Sequence, residues 1–168
     1  MAIRLHQKLS NQANYPLHPD LLNSRVLPKL HVQNGTFLLP LAYPEGSPTH
    51  PSYPGGHATI AGAAVTVLKA LYDESAMFPS PVVAGDDGQA LTPFVGGDLT
   101  IGGELNKLAA NMALGRDSAG VHFRSDETAG LALGEDVAIA QLREFKSTLA
   151  EPGPDFRFTR FDGFPERI

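Results

Sequence analysis

The sequence contains no cysteine, and this absence excludes several kinds of chemistry. None of its 168 residues carries a thiol, so disulfide bonds, thiolate zinc sites, iron–sulfur ligation and a cysteine nucleophile are ruled out. The absence does not identify a compartment, because an exported protein can also lack cysteine. Folding must then rest on an apolar core, for which 42% hydrophobic residues are enough. The length predicts a single domain over residues 1–168.

Long apolar runs and a positive charge excess are also missing. No run approaches the ~20 residues of a membrane span, and Gln7, Lys8 and Ser10 interrupt any signal-peptide core, so localisation stays open. The 13 Lys and Arg against 18 Asp and Glu give a net charge of −5. That balance argues against a nucleic-acid coat or a polybasic membrane surface. It leaves room for a small anion, which needs only two or three converging cations.

Proline and glycine punctuate the chain unevenly and predict its organisation. Residues 1–56 are rich in proline, and we expect loops there, with a short helical piece over 21–27 before Pro28. Apolar spacing predicts helices over 58–72, about 103–115 and 126–149. The first should be buried all round, and Gly130 and Gly134 should allow close helix approach. The predicted fold class is all-α: a helical bundle with long Pro/Gly-rich loops and a small C-terminal β element.

The C-terminal β element is predicted from the segment Phe156–Phe161. Alternation of Phe with polar residues indicates a strand with three Phe on one face. The chain continues for only five residues after Gly163, and we expect no partner strand there. The strand should therefore pair with an earlier segment or with another subunit. Uncovered apolar groups on it would favour a homo-oligomer.

A first chemical motif lies at the start of the helix predicted from residue 58. Gly55 and Gly56 let the backbone approach a ligand closely, and free N–H groups at a helix N-terminus form an anion site. His57 could donate to that anion or transfer a proton. The alternative is an ordinary Gly-Gly turn followed by a helix-start histidine.

A second motif runs from Arg116 to His122. An arginine fork can hold a tetrahedral oxyanion by two parallel hydrogen bonds, and the turn through Gly120 could bring His122 to the same point. A neutral imidazole there could act as nucleophile or metal ligand, with Asp117 orienting Arg116 or His122. The alternative is that Arg116 simply ends a helix, where a cation is favourable in any protein.

Together the two motifs are far more specific. Pro-x-Gly-Gly-His-Ala followed, about 59 positions later, by Arg-x5-His resembles the second and third signatures of the vanadium-dependent haloperoxidases and type 2 phosphatidic-acid phosphatases. Flanking segments are similar to the algal-type bromoperoxidase branch; they are residues 37–40, 45–54, 67–71 and 104–109. The resemblance covers roughly residues 36–150.

The resemblance implies a role for each motif residue. His122 matches the histidine that bonds vanadium, and His57 matches the acid–base histidine. Arg116 and the Gly56 N–H match groups that contact the vanadate oxygens. His50 matches a second histidine near the pocket, against the alternative of a plain loop histidine.

Two departures from the family pattern affect the expected vanadate affinity. Many members have Ser where this chain has Gly55, so a hydroxyl donor is replaced by a backbone N–H. The upstream Lys-x6-Arg-Pro motif is absent, so we expect this chain to be the C-terminal catalytic region of a haloperoxidase. Losing two cations should weaken oxyanion binding, because unpaired buried charge is costly.

The resemblance implies that the protein binds vanadate and uses hydrogen peroxide to oxidise a halide, with bromide favoured. The resulting hypohalous acid would halogenate organic substrates without a change in vanadium oxidation state. Two alternatives stay open. One is a phosphatase, with phosphate in the same pocket, His122 as nucleophile and His57 as acid. The other is a non-catalytic, oligomerising remnant.

Overall fold

The computed structural model describes residues 2–38, 41, 48–149, 153 and 155–168. Within it the chain divides into two compact units, residues 1–46 and 47–168, and each is considered by itself. The prediction of one domain stays a prediction. Parts of the flanking segments that carry the resemblance, namely residues 39–40 and 45–47, lie outside the described residues.

The first unit contains three short helices. They are α1 (Ala2–Leu9), α2 (Pro19–Leu22) and α3 (Val26–Asn34). The expectation of loops was wrong where α1 and α3 lie, and the helical piece expected over 21–27 is divided between the end of α2 and the start of α3. Pro28 does not end a helix but lies in the first turn of α3. A proline is tolerated there because the N–H that it lacks has no intrahelical acceptor. Leu5 and Leu27 are the buried apolar side chains of this unit.

The second unit is built around three longer helices, as predicted. They are α4 (Gly56–Leu71), α5 (Ile101–Ala119) and α6 (Arg124–Thr148), and α4 packs against both of the others. The hydroxyl of Thr100 accepts the Gly103 N–H and caps the start of α5, and Gly120 ends that helix at φ 81°. The helix therefore extends four residues beyond the predicted end, which places Arg116 and Asp117 in its last turn.

Glycines set the distance between α4 and α6. A Cβ at Gly130 would lie 2.5 Å from the Gly55 carbonyl oxygen, and a Cβ at Gly134 would lie 2.1 Å from that of Thr59. Any side chain at these positions would push the helices apart, so the predicted close approach is confirmed. The prediction that α4 is buried all round was wrong, since Ile60 is 67% exposed.

Two small antiparallel hairpins complete the second unit. Strand β1 (Val82–Ala84) pairs with β2 (Leu91–Pro93), and β3 (Arg157–Thr159) pairs with β4 (Pro165–Arg167). The tail thus does contain a partner strand for β3, contrary to expectation. Three-residue strands joined through Gly163 at φ 87° fit within the few residues that remain. The all-α class with a small C-terminal β element is confirmed.

The C-terminal hairpin is attached to the helices by apolar and polar contacts. Phe156 and Phe158 are buried against α6, whereas Phe161 lies beyond the strand and packs on a second cluster, so the three Phe do not share one face. Buried Lys69 of α4 donates to the Thr159 carbonyl oxygen at 2.5 Å, and the Glu135 carboxylate accepts the Phe161 N–H at 2.8 Å. Within the described ranges, no helix is long and apolar enough to cross a membrane.

Candidate functional site

His122 lies in the short turn between α5 and α6 and is oriented by a carboxylate. Its side chain is only 3% exposed, and its Nδ1 lies 3.3 Å from Oδ2 of Asp126, four residues later in the first turn of α6. Because Asp126 accepts the Nδ1 proton, the lone pair of the neutral imidazole lies on Nε2. That nitrogen is the one left free to attack, accept a proton or ligate.

Asp126 is itself held by several donors. Its carboxylate accepts the Phe123 N–H at 3.1 Å, which also caps α6. Burial opposes its ionisation, but hydrogen bonds from Phe123, His122, Ser125 and Ser52 keep the pKa of Asp126 below its usual range. An ionised Asp126 is the form that best fixes the His122 tautomer.

Glu127 brings a second carboxyl group to the same point. Both of its side-chain oxygens are buried and have no hydrogen-bond partner among the described residues, and Oε1 lies 3.7 Å from His122 Nδ1. Burial raises the pKa of Glu127; the charge of His122 offsets this in part, and Asp117 adds to it. The carboxyl also faces Gly55, where a Cβ would lie 2.9 Å from Oε1.

Arg116 and Asp117 leave polar atoms unsatisfied at the end of α5. Arg116 Nε and Asp117 Oδ1 are buried and have no partner in the described part of the chain. Burial and the charge of Asp126 raise the pKa of Asp117. We expected Asp117 to orient Arg116 or His122, but among these residues it makes no hydrogen bond to either. Asp126 instead orients His122.

The N-terminus of α4 meets the N-terminus of α6 at Gly55. The Gly55 N–H donates to the Asp126 carbonyl oxygen at 2.8 Å, so it is not available to a ligand. The first intrahelical bond of α4 runs from the Thr59 N–H to the Gly55 carbonyl oxygen. The N–H groups of the residues between them, from Gly56 onward, therefore have no acceptor within the helix. A Cβ at Gly56 would meet nothing within 4 Å, so space is open beside this backbone.

The structure brings some of the predicted site residues close together and leaves others apart. Gly55, Arg116, Asp117 and His122 are linked through contacts or charge interactions with Asp126 and Glu127. His57 is exposed at the start of α4 and makes no side-chain hydrogen bond within residues 48–149 as described. His50 is exposed, with Nδ1 2.8 Å from the Pro51 carbonyl oxygen.

Two site residues, Asp126 and Glu127, were not predicted as such. Acidic residues are common in the first turn of any helix, so their charge alone does not indicate a site. The spacing His122-x3-Asp126 was a usable signal, because residues four apart lie on one helix face. Nothing in the sequence indicates that Glu127 reaches Gly55, since that contact depends on how closely α4 and α6 pack.

The unpartnered atoms determine which ligands suit the site. Arg116 Nε and the first N–H groups of α4 are donors, which suits an oxyanion. The oxygens of Glu127 and Asp117 are acceptors, so a ligand that satisfies all of them must also donate. Among the described residues, no group of three or more His, Asp or Glu side chains could hold a metal cation.

Comparison with known proteins gives one family and three curated relatives. Residues 29–151 match the family model of the VCPO second helical-bundle domain. A vanadium-dependent bromoperoxidase of Ascophyllum nodosum is 43% identical over 171 residues, which covers 95% of this chain and 30% of the relative. Those of Corallina pilulifera and Corallina officinalis are 48% and 47% identical over 129 residues, covering 76% of this chain and 21% of each relative. The chain thus spans less than a third of the length of these relatives.

Proposed function

The chain belongs to the family of the VCPO second helical-bundle domain, and we propose that it carries the histidine side of a vanadate site in a vanadium-dependent bromoperoxidase. The proposed substrates are hydrogen peroxide and a halide, with bromide favoured, and the oxidised halide would halogenate organic compounds. The observation that carries the proposal is the His122–Asp126 pair, which leaves His122 Nε2 free in the turn that follows α5. Arg116 lies in the last turn of that helix, and its Nε is buried with no partner among the described residues.

Two features of the described residues suit vanadate, although the site is short of cations. Arg116 Nε is a buried donor without a partner in the described residues, and open space borders the Gly56 backbone at the positive end of α4. Both features suit an anion. Nε2 of His122 would hold the vanadium, because Asp126 occupies Nδ1. Phosphate has the same tetrahedral shape, and we expect it to occupy the same position.

When bound, vanadate would supply a Lewis acid that activates hydrogen peroxide toward halide. The chain's own residues bind and orient it. Arg116 would offset charge on its oxygens, and Asp126 would keep His122 in one tautomer. An imidazole nitrogen of His57, exposed at the start of α4, would take and return the proton that peroxide loses.

The charge of the described site is unfavourable for an anion. Asp117, Asp126 and Glu127 bring three carboxyl groups, against the cation of Arg116 and a titratable His122. A multiply charged anion would need further cations to offset its desolvation. We propose that groups outside the described residues provide them, and that affinity is weak without them.

The experiment measures bromide-dependent bromination of a phenol dye with hydrogen peroxide and added vanadate. Bromination that requires both vanadate and bromide, and that His57→Ala lowers more than it lowers vanadate affinity, supports the proposal. Hydrolysis of a phosphate ester without peroxide would instead favour the phosphatase alternative. Absence of both activities, with vanadate bound, would favour the non-catalytic alternative.

A further inference from the structure

The buried side chain of Glu127 lacks a hydrogen-bond partner in the part of the chain that the structure describes. It is only 3% exposed, and neither carboxyl oxygen has a hydrogen-bond partner among the described residues. Buried polar atoms in folded proteins almost always have a partner, and an unsatisfied carboxyl is among the most costly to bury. A ligand that donates hydrogen bonds to these oxygens would supply such a partner.

The carboxyl lies next to elements of the proposed oxyanion site. Glu127 lies against Gly55, immediately before the open backbone of Gly56, with a Cβ at Gly55 reaching to within 2.9 Å of Oε1. Its Oε1 lies 3.7 Å from His122 Nδ1, which is beyond hydrogen-bond distance. That nitrogen already donates to Asp126 Oδ2 at 3.3 Å. His122 thus does not satisfy Glu127.

Resting on the proposed function, we propose that Glu127 accepts a hydrogen bond from a hydroxyl group of the bound oxyanion, and so selects an anion that still carries a proton. Arg116 and the α4 N-terminus supply donors to the other oxygens. The site then offers both donors and an acceptor, as the unpartnered atoms require.

The selection follows from hydrogen-bond chemistry. A carboxylate repels an anion whose oxygens are all bare, because two acceptors then face each other without a hydrogen. The same carboxylate attracts a P–OH or V–OH group, through a short, charge-assisted bond. Phosphate and vanadate keep a hydroxyl in mildly alkaline buffer, whereas sulfate has none. Shape alone would not separate these tetrahedral anions.

The test is calorimetric titration of the chain with inorganic phosphate and with sulfate in mildly alkaline buffer. We expect the wild-type chain to bind phosphate at least about tenfold more tightly than sulfate. Glu127→Gln has the same shape and gains an N–H₂ donor that serves either anion. It should bring the two dissociation constants to within about threefold, mainly by improving sulfate binding. Glu144→Gln, at an exposed position on the same helix, is the matched control and should keep the wild-type preference.

Each outcome decides between the inference and the function on which it rests. Equal binding of both anions by the wild-type chain, or an unchanged preference in Glu127→Gln, overturns the role of Glu127 and leaves the oxyanion site standing. A wild-type chain that binds none of phosphate, sulfate and vanadate, even at millimolar anion concentrations where weak binding is still detected, overturns both. Thermal melts of the variants verify folding, and the wild-type preference decides the inference even if Glu127→Gln fails to fold.

Discussion

The carboxylate of Asp126 and the imidazole of His122 form a buried pair, with Oδ2 3.3 Å from Nδ1. The two residues are four apart, and the turn that follows α5 from Gly120 onward places the histidine just ahead of the helix that carries its partner. One carboxylate thus caps α6 through the Phe123 N–H and sets the tautomer of the proposed vanadium ligand. If His122 binds vanadate as proposed, stability and ligand binding are coupled at Asp126.

Replacing Asp126 with Asn should therefore impair both properties. The amide is a weaker acceptor for the Nδ1 proton and for the Phe123 N–H. We expect vanadate affinity to fall by about 10- to 100-fold and stability by about 1 kcal/mol through the weakened cap. Vanadate titration and thermal unfolding measure the two effects. Asp98→Asn, at an exposed position, is the control, and an unchanged affinity in Asp126→Asn would show that the pair does not orient His122.

Gly55 and Gly56 should respond differently to the same substitution. A Cβ at Gly55 would lie 2.9 Å from Glu127 Oε1, whereas one at Gly56 would meet nothing within 4 Å. Gly55→Ala should destabilise by about 1–3 kcal/mol. Gly56→Ala should be neutral or stabilise by up to about 1 kcal/mol, because it restricts the unfolded chain. Denaturant unfolding compares them, and equal destabilisation would place the Glu127 carboxyl elsewhere.

These two glycines show what sequence can and cannot predict. The pair Gly55-Gly56 was identified as the entry to a helix, and α4 begins there. Their opposite surroundings depend on the depth at which α6 packs, which is set by Gly130 and Gly134. The periods of α4, α5 and α6 were readable because each helix is long. Each of the strands β1 to β4 has three residues. The alternation over Phe156–Phe161 predicted β3, but β1, β2 and β4 are too short for their pattern to be distinctive.

The first unit was predicted less well for a different reason. Proline there was interpreted as a helix breaker, although Pro28 occupies a first turn, where its lost N–H has no cost. The same ambiguity affects Asp126, because an acidic residue at a helix start suits any helix, whereas here it also orients His122. One residue type serves several local purposes, and only the tertiary neighbours decide which applies.

Buried Lys69 should make stability depend on alkaline pH. Burial lowers its pKa, and the charges of Glu135 and Glu74 offset this in part. Between the folded pKa and the ordinary value near about 10.4, the unfolded chain holds more protons than the folded one. The free energy of unfolding therefore increases as pH rises through that window.

Lys69→Met removes this titration. The difference in unfolding free energy between wild type and Lys69→Met should move in favour of wild type as pH rises through the window, as followed by denaturant unfolding. Lys107→Met, at a largely exposed position, corrects for surface lysines. A difference that is constant with pH would mean that Lys69 keeps its ordinary pKa in the folded chain.

The proposed homo-oligomer should use apolar groups that the second unit leaves exposed. Phe156 and Phe158 are buried, so they no longer argue for it. Leu133 and Val137, one turn apart on α6, are 44% and 48% exposed, and such neighbours favour association. Light scattering should give a mass above that of one chain, and the double substitution of both residues by Lys should lower it. Thr128→Lys, exposed on the same helix, should not. A monomeric wild type would contradict this proposal.

Vanadate binding by His122→Ala tests the central claim most directly. Titration followed by vanadium NMR reports the bound anion without requiring turnover, and His18→Ala, an exposed histidine far along the chain, is the control. If His122 Nε2 holds the vanadium, His122→Ala should lose about a hundredfold or more in affinity, or roughly 2.7 kcal/mol, while His18→Ala binds as wild type does. Wild-type affinity in a folded His122→Ala variant would contradict the account.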